Sequence, residues 1–196
     1  PAVAVAHGGD ARFESRVTSM APALPGLLAT VPAGGTHLQI SNRTGKPVVV
    51  EGYDGEQFAR ILPDGTVQLN MNSPAVYLNR DSMGNAPVPT NAKPTASPSW
   101  STQDRTGTYQ WHDHRIHWMG MGVPEKVRDE SLRTLVSTWT VPLNVGGTPV
   151  VVRGSLWWIG QDDGVPPAAI AAFVVLAVVL VGLIAAVAVR RRKTGI

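Results

Sequence analysis

Between residues 13 and 160 the chain runs in short apolar or alternating stretches separated by Gly, Pro, Asn and Asp, without a helical repeat. THLQIS (36–41) alternates and ends in NRTGKP, a hairpin-type turn, while VVVEGY (48–53) leads through DGE to QFARIL (57–62). PDG (63–65) turns the chain into TVQLNM, and AVYLN follows at 75–79. The later runs are TYQWHDHRIHWM (108–119), LVSTWTVPLNV (135–145) and VVVRGSLWWIG (150–160), the last two joined by Gly146 and Gly147. Period-two patterning bounded by turn residues at this spacing predicts an all-β domain, an antiparallel β-sandwich or barrel. One stretch interrupts it: residues 80–107 hold four prolines and few apolar residues, and read as a long loop. Its composition is equally compatible with a lid, a partner-binding arm or a plain insertion.

The pattern changes completely at residue 168. From Ala168 to Val189 there are 22 residues without a charge or a strongly polar side chain. As a helix the run would extend roughly 33 Å, enough for a hydrocarbon core of about 30 Å, so a transmembrane helix over 166–189 is expected after the sandwich. RRRK at 190–193 follows it, and Asp162, Asp163, Pro166 and Pro167 precede it. Positive charge stays on the cytoplasmic side, which makes 190–196 a basic cytoplasmic tail and 7–162 an extracytoplasmic domain of a single-pass cell-membrane protein. Without those four cations the 17 Lys and Arg fall to 13, against 14 Asp and Glu. The net charge of +3 thus reports topology and gives no support for nucleic-acid binding. At the other end PAVAVA (1–6) has the small-residue character of the end of an export signal, with cleavage before His7. The chain has no cysteine, which removes disulfides and thiolate ligands.

Candidate chemistry concentrates in GTYQWHDHRIHWMGMG (107–122), which holds three of the five histidines and two of the five methionines. On an extended strand His112 and His114 share a face, continued by Ile116 and Trp118, while His117 falls on the other. His117 joins them only if the strand bulges or ends near Ile116. Imidazole suits copper, zinc, nickel and iron, and thioether sulfur favours Cu(I). A set of His112, His114 and His117 with Met119 and Met121, without cysteine, therefore points to copper before zinc. If cleavage leaves His7 first, its amine and imidazole add a second chelating route. The histidines could instead form a structural network with Asp113 and Arg115, or take part in acid–base catalysis. His37, at the start of a strand, reads as a surface histidine. No phosphate-binding loop, dinucleotide fingerprint, nucleophile elbow or zinc-protease motif is present, and an enzyme is not expected.

GTYQWHDHRIHWMGMG resembles the copper-ligating strand of the cupredoxin superfamily, and GTYQWHDH is similar to a His-x-His segment of multicopper oxidases. The resemblance implies a cupredoxin- or Ig-like Greek-key sandwich. The missing cysteine excludes a blue copper centre, and one His-x-His excludes a three-copper cluster within the chain. A histidine start before a β domain also resembles small exported copper-resistance proteins of the CopC type. The layout from AHGGDARFES through VVVEGYDGE and WHDHRIHWM to GSLWWIG and the apolar run looks like a family of exported, C-terminally anchored actinobacterial proteins. The expected function is a membrane-anchored protein that buffers copper or delivers it to a membrane cuproenzyme. The alternative is a non-catalytic accessory subunit of a respiratory or oxygenase membrane complex, with structural histidines and an integral membrane partner.

Overall fold

The computed structural model describes residues 10–33, 35–160, 171–176 and 178–182. Two compact units result, Pro1–Gln161 and Asp162–Ile196. The first is built from ten strands: β1 (Phe13–Ala21), β2 (Leu27–Thr30), β3 (His37–Asn42), β4 (Val48–Glu51), β5 (Gln57–Ile61), β6 (Val67–Asn70), β7 (Trp100–Asp104), β8 (Thr108–His112), β9 (Thr134–Val145) and β10 (Thr148–Trp158), with a short helix α1 (Ala75–Leu78) between β6 and β7. Seven strands form one sheet in the order β1-β10-β9-β4-β5-β6-β7, and β2-β3-β8 form a second. Every pairing is antiparallel. This is the expected all-β sandwich.

Alternation sets the core. Leu38 and Ile40 of β3, Val48 and Val50 of β4, Phe58 and Ile61 of β5, and Val141, Leu143 and Val145 of β9 all turn inward and are buried. The sheets meet through aromatic contacts, with the Phe58 ring 5.8 Å from Trp111 and 6.0 Å from Tyr109 on β8. Each such side chain contributes roughly 1.5–3 kcal/mol of hydrophobic stabilisation. β9 and β10 make a long hairpin through Gly146 (φ +56°) and Gly147 (φ +90°), two left-handed residues that match the strand twist. Gly154 on β10 lies directly beneath the Trp139 indole, which leaves no room for a Cβ. Asn42, buried at the end of β3, donates to the Lys46 and Ile61 carbonyls (2.8 and 3.0 Å), and its Oδ1 accepts from the Thr44 amide. That turn fixes the entry to β4.

Three expectations need correction. AVYLN is helical over Ala75–Leu78: Pro74 precedes it with φ −55°, which suits a helix start, and only Ala75 and Val76 are buried. A short apolar run carries no period that separates the two states. Residues 80–107 are not all loop, because Trp100–Asp104 form β7 on the edge of the large sheet, where Arg60 covers the Trp100 ring at 4.1 Å. TYQWHDHRIHWM is a strand only through His112, after which the chain turns.

Among the described residues no helix is long and apolar enough to cross a membrane. Residues 171–176 and 178–182 are helical, with Phe173 and Leu176 exposed. The remainder of the 166–189 segment, the 1–6 segment, His7 and the 190–196 tail lie outside the described residues.

Candidate metal centre

β8 is the positioning element. It pairs with β3 in a register that sets Trp111 opposite Leu38 and His112 opposite His37. Trp111 enters the core, so His112, one residue on, takes the opposite face. The Asp113 amide then donates to the Thr36 carbonyl (3.1 Å), the last rung of the pair, and the Ile116 amide closes a turn on the Asp113 carbonyl (3.2 Å). Ile116 is fully buried and anchors this turn to the core. The turn brings His117 back to the side of His112 and His114.

One potential ligand atom from each of His112, His114 and His117 can be chosen so that all three lie within 4.8 Å of one another. The cluster could hold a metal ion. Its ring centroids are separated by 4.4 Å (His112 to His117), 5.1 Å (His112 to His114) and 5.7 Å (His114 to His117). The condition that His117 required is met by an early strand end and a turn.

A buried ion pair holds that turn. The Asp113 carboxylate is fully buried; its Oδ1 accepts from the Arg115 amide (3.0 Å) and Nε (2.9 Å), and its Oδ2 from the Trp111 indole (2.8 Å) and the Arg115 guanidinium (2.6 Å). Arg115 also donates to the Glu51 carbonyl at 3.2 Å, and its guanidinium lies 5.0 Å from the Tyr53 ring centroid. Tyr53 stacks on His114 at 5.9 Å, accepts from the His114 amide (3.1 Å) and donates to Asn79. Asp113 and Arg115 thus form a network with Trp111, Tyr53 and Glu51, to which no histidine ring is hydrogen-bonded among the described residues.

The start of the 80–99 loop supplies a second support. Asp81 accepts from the Met83 and Asn85 amides (both 2.9 Å), bonds that hold its carboxyl below the usual carboxylate range, and its backbone carbonyl accepts from His114 Nε2 (2.8 Å). With Nε2 donating to a carbonyl, Nδ1 of His114 keeps its lone pair free. Gly84, at φ +71°, sits against this ring: a Cβ there would lie 3.0 Å from His114 Cε1. His117 has the reverse arrangement, with Nδ1 donating to the Trp118 carbonyl (3.1 Å), which leaves the lone pair on Nε2. A carbonyl that engages one ring nitrogen and leaves the other without a carbonyl partner is the usual second layer around a metal-binding histidine.

Nε2 of His112 and Nε2 of His117 are buried without a hydrogen-bond partner among the described residues. Such atoms are uncommon in folded proteins and call for an explanation. Burial also lowers the basicity of these rings, with repulsion between neighbouring imidazoles acting in the same direction: His112 is held down to about 4, and His117 is shifted downward as well. Both are neutral near pH 7, the state in which imidazole binds a metal.

The remaining candidates separate. Met121 is 93 % exposed, whereas Met119 is half-buried in the segment that follows His117. His37 is neither fully exposed nor fully buried. It is half-buried across the strand pair from His112, with ring centroids 5.4 Å apart, and burial lowers its basicity too. The signal for it lay in two strands, since only the β3–β8 register brings it to the cluster. No protein-family model matches the chain, and neither a curated protein nor a solved structure matches it.

Proposed function

We propose that this protein binds a copper ion through His112, His114 and His117, and buffers or delivers it from an extracytoplasmic domain anchored by a helix over 166–189. The observation that carries the reading is the pair of orphaned buried Nε2 atoms on His112 and His117, in a triad where carbonyls engage one nitrogen each of His114 and His117. A metal ion satisfies both at once. Neutral imidazole nitrogens bind Cu(II) more tightly than the other divalent first-row ions, and Met119 nearby in sequence offers a thioether to Cu(I). Three protein ligands leave a coordination position through which the ion can pass to an acceptor. A histidine-bearing strand and turn within a β-sandwich also supports the cupredoxin-like reading. Delivery to a membrane cuproenzyme follows from the anchor.

Competition titration of the full chain in detergent with glycine-buffered Cu(II) tests this. Wild type should bind one equivalent with a Kd below about micromolar, and His112→Ala or His114→Ala should weaken binding by at least about a hundredfold. Affinity unchanged in both variants, or a higher affinity for Zn(II) than for copper under the same conditions, would overturn the copper reading.

A second reading, the accessory subunit, draws on apolar exposure near the end of the β9–β10 pair, where Leu132, Leu135 and Ile159 are 60 %, 40 % and 43 % exposed. These side chains suit contact with an integral membrane partner. Recovery of the chain as a lone monomer from mild detergent would count against it.

A further inference from the structure

The turn that meets the His114 ring is shaped by one side chain. Helix α1 ends at Asn79, and the chain keeps turning beyond it: the Arg80 amide donates to the Tyr77 carbonyl (3.0 Å) and the Asp81 amide to the Leu78 carbonyl (3.3 Å). The Asp81 carboxylate then gathers the residues that follow, Oδ1 accepting from the Met83 amide and Oδ2 from the Asn85 amide, both at 2.9 Å. An aspartate that bonds its own backbone two residues on builds a local turn in place of helix or strand. The Gly84 amide closes the same turn on the Asp81 carbonyl (3.2 Å).

That carbonyl has a second lone pair, and the His114 ring takes it, with Nε2 2.8 Å from the oxygen. A carbonyl only accepts, so the proton lies on Nε2, and the nitrogen that His114 can offer to an ion is Nδ1. The same argument at His117, whose Nδ1 donates to the Trp118 carbonyl (3.1 Å), leaves Nε2. The nitrogen each ring offers is set by the carbonyl it meets, and for His114 that carbonyl belongs to a segment 33 residues away.

Other contacts leave the ring little freedom. Tyr53 stacks on it with ring centroids 5.9 Å apart and planes 13° from parallel, and the Tyr53 hydroxyl donates to Asn79 at the end of α1. Gly84, at φ +71°, packs against it as well: a Cβ there would lie 3.0 Å from Cε1 and 3.2 Å from Nδ1. Space beside Nδ1 exists because residue 84 has no side chain.

We propose that Asp81 is a positioning residue of the metal centre: its carboxylate shapes the 81–85 turn, whose carbonyl holds His114 by Nε2 and presents Nδ1 to the ion. Gly84 keeps the approach to Nδ1 open. The proposal rests on the reading of the triad as a copper site. Asp81 touches no ion itself; it acts through the ring that its turn orients.

The test uses the full chain in detergent as wild type, Asp81→Ala, Asp81→Asn and Gly84→Ala, with glycine-buffered Cu(II) as the probe. Asp81→Ala should weaken binding about 10–100-fold, the range for loss of an outer-shell partner, and pulsed EPR should count two imidazoles on the ion in place of three. In the metal-free chain, heteronuclear NMR should show a His114 Nε2–H sheltered from solvent exchange in wild type and lost in Asp81→Ala. Asp81→Asn keeps an oxygen for the Met83 amide and should recover most of the affinity; a loss equal to that of Asp81→Ala would assign the effect to the negative charge and overturn the proposal. Gly84→Ala should weaken binding at least about tenfold, and unchanged affinity there would overturn the part given to residue 84. Wild-type affinity and three imidazoles in Asp81→Ala, alongside lost binding in His114→Ala, overturn the positioning role and leave the triad standing. Wild-type chain that binds no copper overturns the copper reading itself and Asp81 with it. Melting of the metal-free Asp81→Ala chain should stay within about 4 °C of wild type, because the two turn bonds lost are exposed; a larger drop makes Asp81 a structural residue and overturns the assignment.

Discussion

Arg115→Met should lower the melting temperature of the metal-free chain by roughly 6–20 °C. The reason is the fully buried Asp113 carboxylate, which loses the one cation paired with it among the described residues. Breaking a buried pair by removal of one partner costs about 3–5 kcal/mol, because the remaining charge stays desolvated, and a chain of this length loses about 2–4 °C per kcal/mol. The Trp111 indole and the Arg115 amide still bond to the carboxylate, which places the loss within that range instead of beyond it. Asp113→Leu with Arg115→Met should cost less than the single Arg115 change, since no buried charge remains. Copper affinity should nevertheless fall in the double variant, because Asp113 and Arg115 shape the turn that returns His117 to His112. Thermal melts in a double-mutant cycle, read beside copper titration, separate the two effects. A melt of Arg115→Met within 2 °C of wild type would show that the clamp contributes little.

Metal-free protein should also lose stability as pH falls from about 6.5 to about 4. An unfolded histidine titrates near pH 6.5, whereas His112 in the fold is held down to about 4 by burial and by the neighbouring imidazoles, and His117 and His37 are shifted the same way. Between those limits the unfolded chain binds protons that the native chain refuses, so stability is fully present above pH 6.5 and declines on acidification. The carboxylates Asp10, Asp81 and Asp129 are shifted downward from ordinary values, and their contribution is lost at lower pH. The decline above about pH 5 therefore belongs to the histidines. Melting temperatures measured from pH 7 to 4.5 should fall steadily in wild type and less steeply in His112→Gln. A flat wild-type profile, or the same slope in the variant, would contradict this account. Saturating copper should raise the whole curve, since the ion binds the native state.

Much of the fold was legible in the sequence because its information is local. THLQIS and LVSTWTVPLNV alternate with one polar and one apolar face, and the turn at Gly146-Gly147 is written in the residues themselves. AVYLN misled because five residues cannot distinguish the two periods, and Trp100–Asp104 was hidden by prolines just before it. The site was half legible. His112, His114 and His117 stood out by density, but their convergence depends on a turn stabilised by Asp113 and Arg115, contacts made through tertiary packing around Tyr53 and Glu51. Alternation beyond His112 grouped the wrong residues on a face, since the strand ends there. His37 is far from the cluster in sequence and adjacent in register, a relation that no single segment records.

The place of β10 has a mechanical consequence. It is the last strand before the chain continues toward the apolar run, yet it lies inside the large sheet, zipped along its length to β1 on one side and β9 on the other. A pull applied at residue 160 acts along the strand, so the hydrogen bonds of both ladders share the load in shear; an edge strand pulled across its ladder would peel open one bond at a time. A tether attached at this point would load the seven-stranded sheet first, while β3 and β8, which carry His37 and His112, belong to the other sheet.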